Sequence, residues 1–151
     1  MRFLVDTNVL LYAANRACAE HAPAKQFLER HLREDTPWCL TWPVIYEFLR
    51  VSTHPGVFPE PLSPAEAFGF ISELLEYDAV HVLQPTGRHL PFLRQTLDEL
   101  SHPSGNLFHD IATAVILREH GVREIVTADN DFLQFRFLSV VNPITPARRS
   151  P

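Results

Sequence analysis

Apolar residues follow two patterns along this chain, and each pattern predicts one kind of element. Five short runs rich in apolar residues are typical of strands buried in a sheet. They cover 2–5, 38–41, 80–83, 124–127 and 138–141. Between these runs, apolar residues recur every three or four positions, which predicts amphipathic helices. The helices are expected over 9–15, 22–32, 43–52, 63–75, 88–100 and 107–120.

Several predicted helices carry residues that favour a start or a stop. Asp6 or Thr7 can cap the first helix, because both side chains accept hydrogen bonds from free backbone N–H groups. Ser63, followed three positions later by Glu66, forms a capping-box pattern. Gly121 suits the left-handed conformation that often ends a helix. These residues support the boundaries that the periodicity predicts.

The order of the elements favours an α/β fold with a mostly parallel sheet, because strands alternate with helices along most of the chain. One domain is expected over 1–145, followed by a mobile C-terminal tail at 146–151 that holds Arg148 and Arg149. In such sheets, ligands bind beyond the carboxyl ends of the strands. Residues that directly follow strands are therefore the first candidates for a functional site.

Composition excludes several classes of protein. The 151 residues are 46% hydrophobic and 21% charged, which is typical of a folded globular chain. Cys18 and Cys39 are the only cysteines and form no CxxC pair, which argues against a disulfide framework and cysteine-ligated zinc. No apolar run approaches the ~20 residues of a membrane span. Because Asp6 interrupts the N-terminal run too early for a secretory signal, a cytoplasmic protein is expected.

Four acidic residues occupy unusual positions. Asp6 and Asp129 follow predicted strands, so both fall at the ligand-binding edge of the sheet. Asp110 lies in the first turn of a predicted helix, and Glu47 lies in an apolar stretch of another. Two carboxylates ~4 Å apart repel by about 4 kcal/mol at an effective dielectric of about 20, so four that converge need a cation. All-oxygen ligation suits Mg²⁺ or Mn²⁺, and such a site suits phosphodiester hydrolysis.

A simpler interpretation of the acidic residues stays open at this point. An Asp after a strand is more often a helix cap than a ligand, and Glu47 taken alone is more often a surface residue. The net charge of −5 argues against a simple basic nucleic-acid binder. That argument weakens if four of the carboxylates hold metal, so charge does not decide between the two interpretations.

A set of segments, taken in order, carries a family resemblance. They are LVDTNVLLYAAN at 4–15, VIYEFLRV at 44–51, HPGVFPEPLSPAEA at 54–67, GNLFHDIATAVILREHGV at 105–122, TADNDF at 127–132 and NP at 142–143. With these segments the chain resembles the PIN-domain ribonucleases, and within them the VapC-type toxins of bacterial toxin–antitoxin pairs. Each segment is weak by itself, whereas their order and spacing are specific and cover most of the chain.

The resemblance implies a three-layer α/β/α sandwich, a homodimer, an RNA substrate and a cognate antitoxin that covers the active site. It implies that the family's acidic quartet corresponds to Asp6, Glu47, Asp110 and Asp129, which would hold Mg²⁺ or Mn²⁺. Asn8 would orient Asp6.

Three further residues have predicted supporting roles. Thr127 is expected to support the site from the end of its strand. Asp131 lies two residues after Asp129 and competes with it as the fourth acid. We assign Asp129 to the metal, and Asp131 to holding the loop by accepting backbone N–H bonds. Arg50 follows Glu47 by three residues on one helix face, so it either contacts an RNA phosphate or pairs with Glu47.

The residues and the resemblance together predict a metal-dependent endoribonuclease, the toxin of a type II toxin–antitoxin pair, in which metal-activated water attacks the RNA phosphodiester. One alternative is a non-catalytic PIN-like RNA-binding or interaction module. A weaker alternative is an aspartyl-phosphate phosphatase, which also places an Asp after its first strand. Such enzymes use a Lys near the phosphoryl group, and the sole Lys, Lys25, lies in a predicted helix.

Overall fold

The computed structural model describes residues 2–144 and contains five strands, six α-helices and one 3-10 helix in that range. The strands are β1 (Leu4–Val5), β2 (Trp38–Thr41), β3 (Val80–Leu83), β4 (Glu124–Val126) and β5 (Ser139–Val141). The α-helices are α1 (Thr7–Ala14), α2 (His21–Arg33), α3 (Trp42–Ser52), α4 (Pro64–Leu75), α5 (His89–Asp98) and α6 (Leu107–Glu119). The predicted tail at 146–151, with Arg148 and Arg149, lies outside the described residues.

Each strand and helix predicted from the hydrophobic pattern is present, with its ends shifted by no more than 2 residues. Asp6 is the N-cap of α1, and Gly121 adopts a φ of 69° just beyond α6. The pattern did not predict the 3-10 helix at Asp131–Gln134, because a single turn is too short to show a period. None of the helices between residues 2 and 144 has the length and hydropathy needed to cross a membrane.

All strand pairings are parallel, and the strands form one sheet in the order β3-β2-β1-β4-β5. The chain first moves from β1 outward to β2 and β3, and then returns to the other side of β1 for β4 and β5. Right-handed crossovers therefore place α1–α4 on one face of the sheet and α5 and α6 on the other. The result is the expected three-layer α/β/α sandwich, with its topological switch point between β1 and β4.

The interior strands and α6 make up the centre of the core. Every residue of β1 and β2 is buried, and Leu4 pairs in register with Cys39 on one side and Ile125 on the other. Helix α6 buries seven of its residues. Its last buried side chain, Glu119, contacts His89 Nδ1 at 2.7 Å and accepts the Thr86 hydroxyl at 2.6 Å. These contacts fix α6 at its far end, so its first turn has a defined position beside the sheet.

The capping box of α4 tests whether the residues that favour a helix start in the sequence also stabilise the folded protein. The Ser63 hydroxyl accepts from the Glu66 N–H, and the Glu66 carboxylate accepts from the Ser63 N–H, both at 3.1 Å. We expect Ser63→Ala to lower the free energy of unfolding by about 0.5–2 kcal/mol, because the first turn loses its acceptor. Urea unfolding measures this change. Ser101→Ala, at an exposed serine, is the matched control, and equal midpoints for the two variants would contradict a capping role.

Candidate active site

An open cavity of about 560 Å³ lies beyond the carboxyl ends of β1 and β4, at the switch point of the sheet. The starts of α1 and α6, one side of α3 and the segment after β4 form its walls. Its lining consists of Asp6, Thr7, Asn8, Leu11, Pro43, Tyr46, Glu47, Arg50, Asn106, His109, Asp110, Asp129 and Asp131. The cavity therefore gathers all four acids of the predicted quartet, together with the rival fourth acid.

Asp6 is the most enclosed of these acids, with 6% of its surface exposed. Its backbone N–H donates to the Val126 carbonyl oxygen at 2.9 Å, which extends the pairing of β1 with β4 by one residue. Its Oδ1 accepts from the Thr7 N–H at 2.8 Å, and its Oδ2 accepts from the Thr127 hydroxyl at 2.8 Å. The sheet and the start of α1 therefore fix both the backbone and the carboxylate.

The Thr127 hydroxyl is the centre of a hydrogen-bond network across the switch point. It donates to Asp6 and accepts from the Asn8 side-chain amide at 2.9 Å and from the Asp129 N–H at 3.1 Å. Asn8 also donates to Asp6 Oδ2 at 3.3 Å, while its Oδ1 accepts from the Ala128 N–H at 3.0 Å. The network ties the start of α1 to the end of β4 and orients one carboxylate oxygen.

Three carboxyl groups of the cavity, Asp6, Asp110 and Asp131, bind protons more tightly than usual. Burial raises the pKa of Asp6 to about 6, and the hydrogen bonds that it accepts offset this only in part. The pKa of Asp110 is raised to about 7, first by burial and then by the negative charges of Asp6, Glu47, Asp131 and Asp129. Within residues 2–144, no side-chain or backbone donor reaches the Asp110 carboxylate. The cavity is therefore a site of uncompensated negative charge.

Thr7 holds the Glu47 side chain, a role that the sequence did not indicate. The Thr7 hydroxyl is buried, and it lies 3.2 Å from Glu47 Oε2 and 3.4 Å from the Val44 carbonyl oxygen, so the two acceptors share its single proton. Because Thr7 begins α1 and Glu47 lies in the middle of α3, this contact links the two helices. Sequence reasoning treated Thr7 only as a possible cap, since nothing local shows that α3 packs against it.

The structure corrects the predicted roles in the loop after β4. Asp129, and not Asp131, accepts the backbone hydrogen bond that holds the turn: its Oδ1 accepts from the Asp131 N–H at 3.1 Å. Asp131 instead begins the 3-10 helix and lines the cavity. Burial, followed by the charge of Asp129 and a hydrogen bond with its side chain, raises the pKa of Asp131. The loop-holding role therefore belongs to Asp129, while the metal role of Asp129 stays a prediction.

Arg50 does not pair with Glu47. No carboxylate lies within ion-pairing distance of its guanidinium in the part of the chain that the structure describes, although both residues line the same cavity. Arg50 is exposed and, among the described residues, is the only Lys or Arg that lines the cavity. Of the two sequence-based interpretations, this geometry favours a cation that is free to contact a ligand.

The donor set fits a hard divalent cation that keeps part of its water shell. No group of three or more His, Cys, Asp or Glu side chains forms a preformed cage anywhere in residues 2–144. Mg²⁺ requires no such cage, because it usually retains several waters and binds through one or two carboxylates. Five carboxylates around one open cavity supply those ligands, and a bound cation would offset the burial and the neighbouring negative charges that raise the pKa of Asp110.

Comparison with known sequences gives one family. The family model of the PIN domain matches residues 3–138. Ribonuclease VapC48 of Mycobacterium tuberculosis is 32% identical over 140 residues, which cover 93% of this chain and 96% of that protein. Ribonuclease VapC43 of the same species is 35% identical over 140 residues, with 93% and 94% covered.

Solved structures share the fold at lower sequence identity. VapBC2 from Rickettsia felis, bound to a DNA fragment from its promoter, has a TM-score of 0.67 at 16% identity, with 94% of this chain and 98% of that chain covered. VapC20 from Mycobacterium tuberculosis, a Sarcin-Ricin loop cleaving toxin, has a TM-score of 0.63 at 18% identity, with 87% and 92% covered. At these identities the likeness shows the fold alone.

The raised pKa of Asp110 makes stability depend on pH. The folded protein holds the Asp110 proton more tightly than the unfolded chain does. The free energy of unfolding therefore falls as the pH rises from the unfolded pKa toward 7, and the loss is complete above the folded pKa. In EDTA, Asp110→Asn should raise the free energy of unfolding at pH 8 by about 1–3 kcal/mol. By about pH 5 this increase in the free energy of unfolding should fall to less than half of its value at pH 8. Urea titrations at several pH values between 5 and 8 measure the increase.

Asp98→Asn is the matched control, because it removes an exposed carboxylate of α5 outside the cavity. Its effect on stability, measured at each pH, is the reference for the Asp110→Asn gain. An Asp110→Asn gain that stayed constant between pH 5 and pH 8 would refute the proposed repulsion among the cavity carboxylates.

Proposed function

The chain belongs to the PIN domain family, and from this premise we propose that it is an endoribonuclease, the toxin of a toxin–antitoxin pair, which hydrolyses RNA phosphodiester bonds with Mg²⁺ or Mn²⁺. The observation that carries the proposal is the convergence of carboxylates from four separate segments at the switch point of the sheet, none of them in an ion pair within residues 2–144. Relatives at 32–35% identity that are named ribonucleases support it.

Asp6, Glu47, Asp110 and Asp129 are the residues that would hold the cation. When bound, Mg²⁺ activates a water molecule and neutralises charge on the phosphate. The chain's own contribution is geometric: the Thr127 network orients one oxygen of Asp6, and α6 presents an Asp110 carboxylate that accepts no hydrogen bond from the described residues. Hydrolysis by an activated water molecule needs no protein nucleophile.

A cognate antitoxin is the proposed partner, and the fold shared with VapBC structures supports it. The excess negative charge of the cavity would suit an antitoxin Arg, because a guanidinium donates two parallel hydrogen bonds to a carboxylate. We propose further that the protein acts in the cytoplasm, where RNA is abundant, and that it forms a homodimer. Light scattering of the purified chain tests the dimer.

The alternatives receive less support. The phosphatase interpretation needs a Lys beside Asp6, yet Lys25 lies in α2, 3.7 Å from Glu29, and does not line the cavity. A non-catalytic module has no use for a set of unpaired carboxylates, whose repulsion destabilises the fold. The ribonuclease proposal uses both the carboxylates and the free Arg50.

Asp6→Asn tests the activity. The variant keeps the size of the side chain and an oxygen for the Thr7 N–H, but it removes the enclosed charge. We expect RNA cleavage in Mn²⁺ to fall by about 100-fold or more, and the growth arrest caused by expressing the chain alone to disappear. Asp98→Asn should retain both activities. Equal growth arrest by Asp6→Asn and the parent would point to an effect other than metal-dependent cleavage.

A pair of Asn substitutions identifies the fourth acid. Asp129→Asn keeps an acceptor for the Asp131 N–H, so it should melt like the parent while Mn²⁺ affinity falls by about 10- to 100-fold. Asp131→Asn should reduce the affinity less. Asp129→Ala should also lower stability by about 1 kcal/mol, since the turn loses its acceptor. Isothermal titration calorimetry with Mn²⁺ ranks the variants by their metal affinity. A larger loss of Mn²⁺ affinity in Asp131→Asn than in Asp129→Asn would assign the metal role to Asp131.

A further inference from the structure

One face of α3 carries two aromatic residues and a cation beside the acidic cavity. Trp42, Tyr46 and Arg50 are spaced four residues apart, so they form one row along the helix with steps of about 6 Å. The rings of Trp42 and Tyr46 are 6.3 Å apart at an interplanar angle of 49°. Tyr46 and Arg50 both line the cavity, next to Glu47.

The exposure of this pair is high for such large side chains. Tyr46 is 68% exposed and Trp42 is 43% exposed, whereas Trp38, the other tryptophan, is fully buried. Trp42 packs against the Tyr46 ring and so supports it from one side. Because the Tyr46 ring is exposed and lines the cavity, it is accessible to a ligand bound there.

Arg50 completes the arrangement with a positive charge one helical turn beyond Tyr46. Within residues 2–144 its guanidinium has no ion-pair partner, and it is the only Lys or Arg that lines a cavity with five acids. An exposed aromatic face beside an unpaired cation matches a single nucleotide, whose base stacks on the ring while its phosphate contacts the cation.

We propose that Trp42, Tyr46 and Arg50 form a nucleobase subsite in which an unpaired base next to the scissile phosphate stacks on Tyr46 and its phosphate contacts Arg50. This subsite rests on the proposed ribonuclease function and specifies how the substrate lies on it. Stacking requires an unpaired base, so the subsite favours single-stranded or looped RNA over a duplex. Arg50 also offsets the repulsion between the phosphate and the acidic wall.

Binding of a short fluorescein-labelled oligouridine tests the subsite, with every variant made in the Asp6→Asn background to prevent cleavage. Tyr46→Leu should weaken binding about 5- to 100-fold, the equivalent of about 1–3 kcal/mol for one stacked base. Tyr46→Phe should restore parental affinity, because it restores the ring. Phe68→Leu is the matched control: Phe68 is 66% exposed on α4 and does not line the cavity.

Two further readouts separate stacking from charge. Oligouridine should quench the fluorescence of Trp42, and Trp42→Phe should abolish the quenched component, since Trp38 is buried. Arg50→Ala should reduce the slope of log affinity against log salt by about 0.7, the value for one phosphate contact on a single strand. A duplex of the same length should show weaker binding and no sensitivity to Tyr46→Leu.

The outcomes distinguish this subsite from the proposed function itself. If the parent binds oligouridine and Tyr46→Leu binds it equally well, the subsite is wrong while the ribonuclease proposal stands. If the parent binds no RNA, both are wrong. If Tyr46→Leu converts a dimer to a monomer in light scattering without changing RNA affinity, the face belongs to a second copy of the chain, and the subsite is overturned.

Discussion

The desolvated carboxylate of Asp6 is the constraint on which the rest of the site depends. It ends a buried central strand, and burial raises its pKa to about 6. A charge in that position is unfavourable unless donors or a cation compensate it. The Thr7 N–H and the Thr127 hydroxyl supply two hydrogen bonds, and these fix the direction of the carboxylate without removing the cost of its charge.

The topology of the sheet explains why further acids meet at the same place. The strand order reverses between β1 and β4, so the chain leaves these neighbouring strands toward opposite faces of the sheet. The divergence opens a crevice at their carboxyl ends, and α3 and α6 contribute Glu47 and Asp110 to it. Asp110 accepts no hydrogen bond within residues 2–144, so nothing there offsets the burial and the surrounding carboxylates that raise its pKa.

This excess of negative charge relates the proposed functions to one another. The proposed metal, the proposed antitoxin arginine and the proposed Arg50 contact to phosphate would all counter this negative charge, either by neutralising the carboxylates or by offsetting their repulsion of RNA. Stability and activity therefore oppose each other in this cavity. The carboxylates that destabilise the metal-free fold are the residues that would bind the proposed cation.

The sequence by itself determined the elements, the parallel α/β class and the four candidate acids, because hydrophobic period, caps and the positions of residues after strands are local properties. Only the tertiary structure decided which side chains touch. It revealed the bond from Thr7 to Glu47, the absence of an Arg50–Glu47 pair among the described residues, and Asp129 instead of Asp131 as the acceptor of the backbone hydrogen bond in the loop. Each of these depends on distances between segments far apart in the chain, or on the backbone course of one short turn. Neither leaves a periodic signal in the sequence, since packing of the helices and the sheet sets such distances only after the chain has folded.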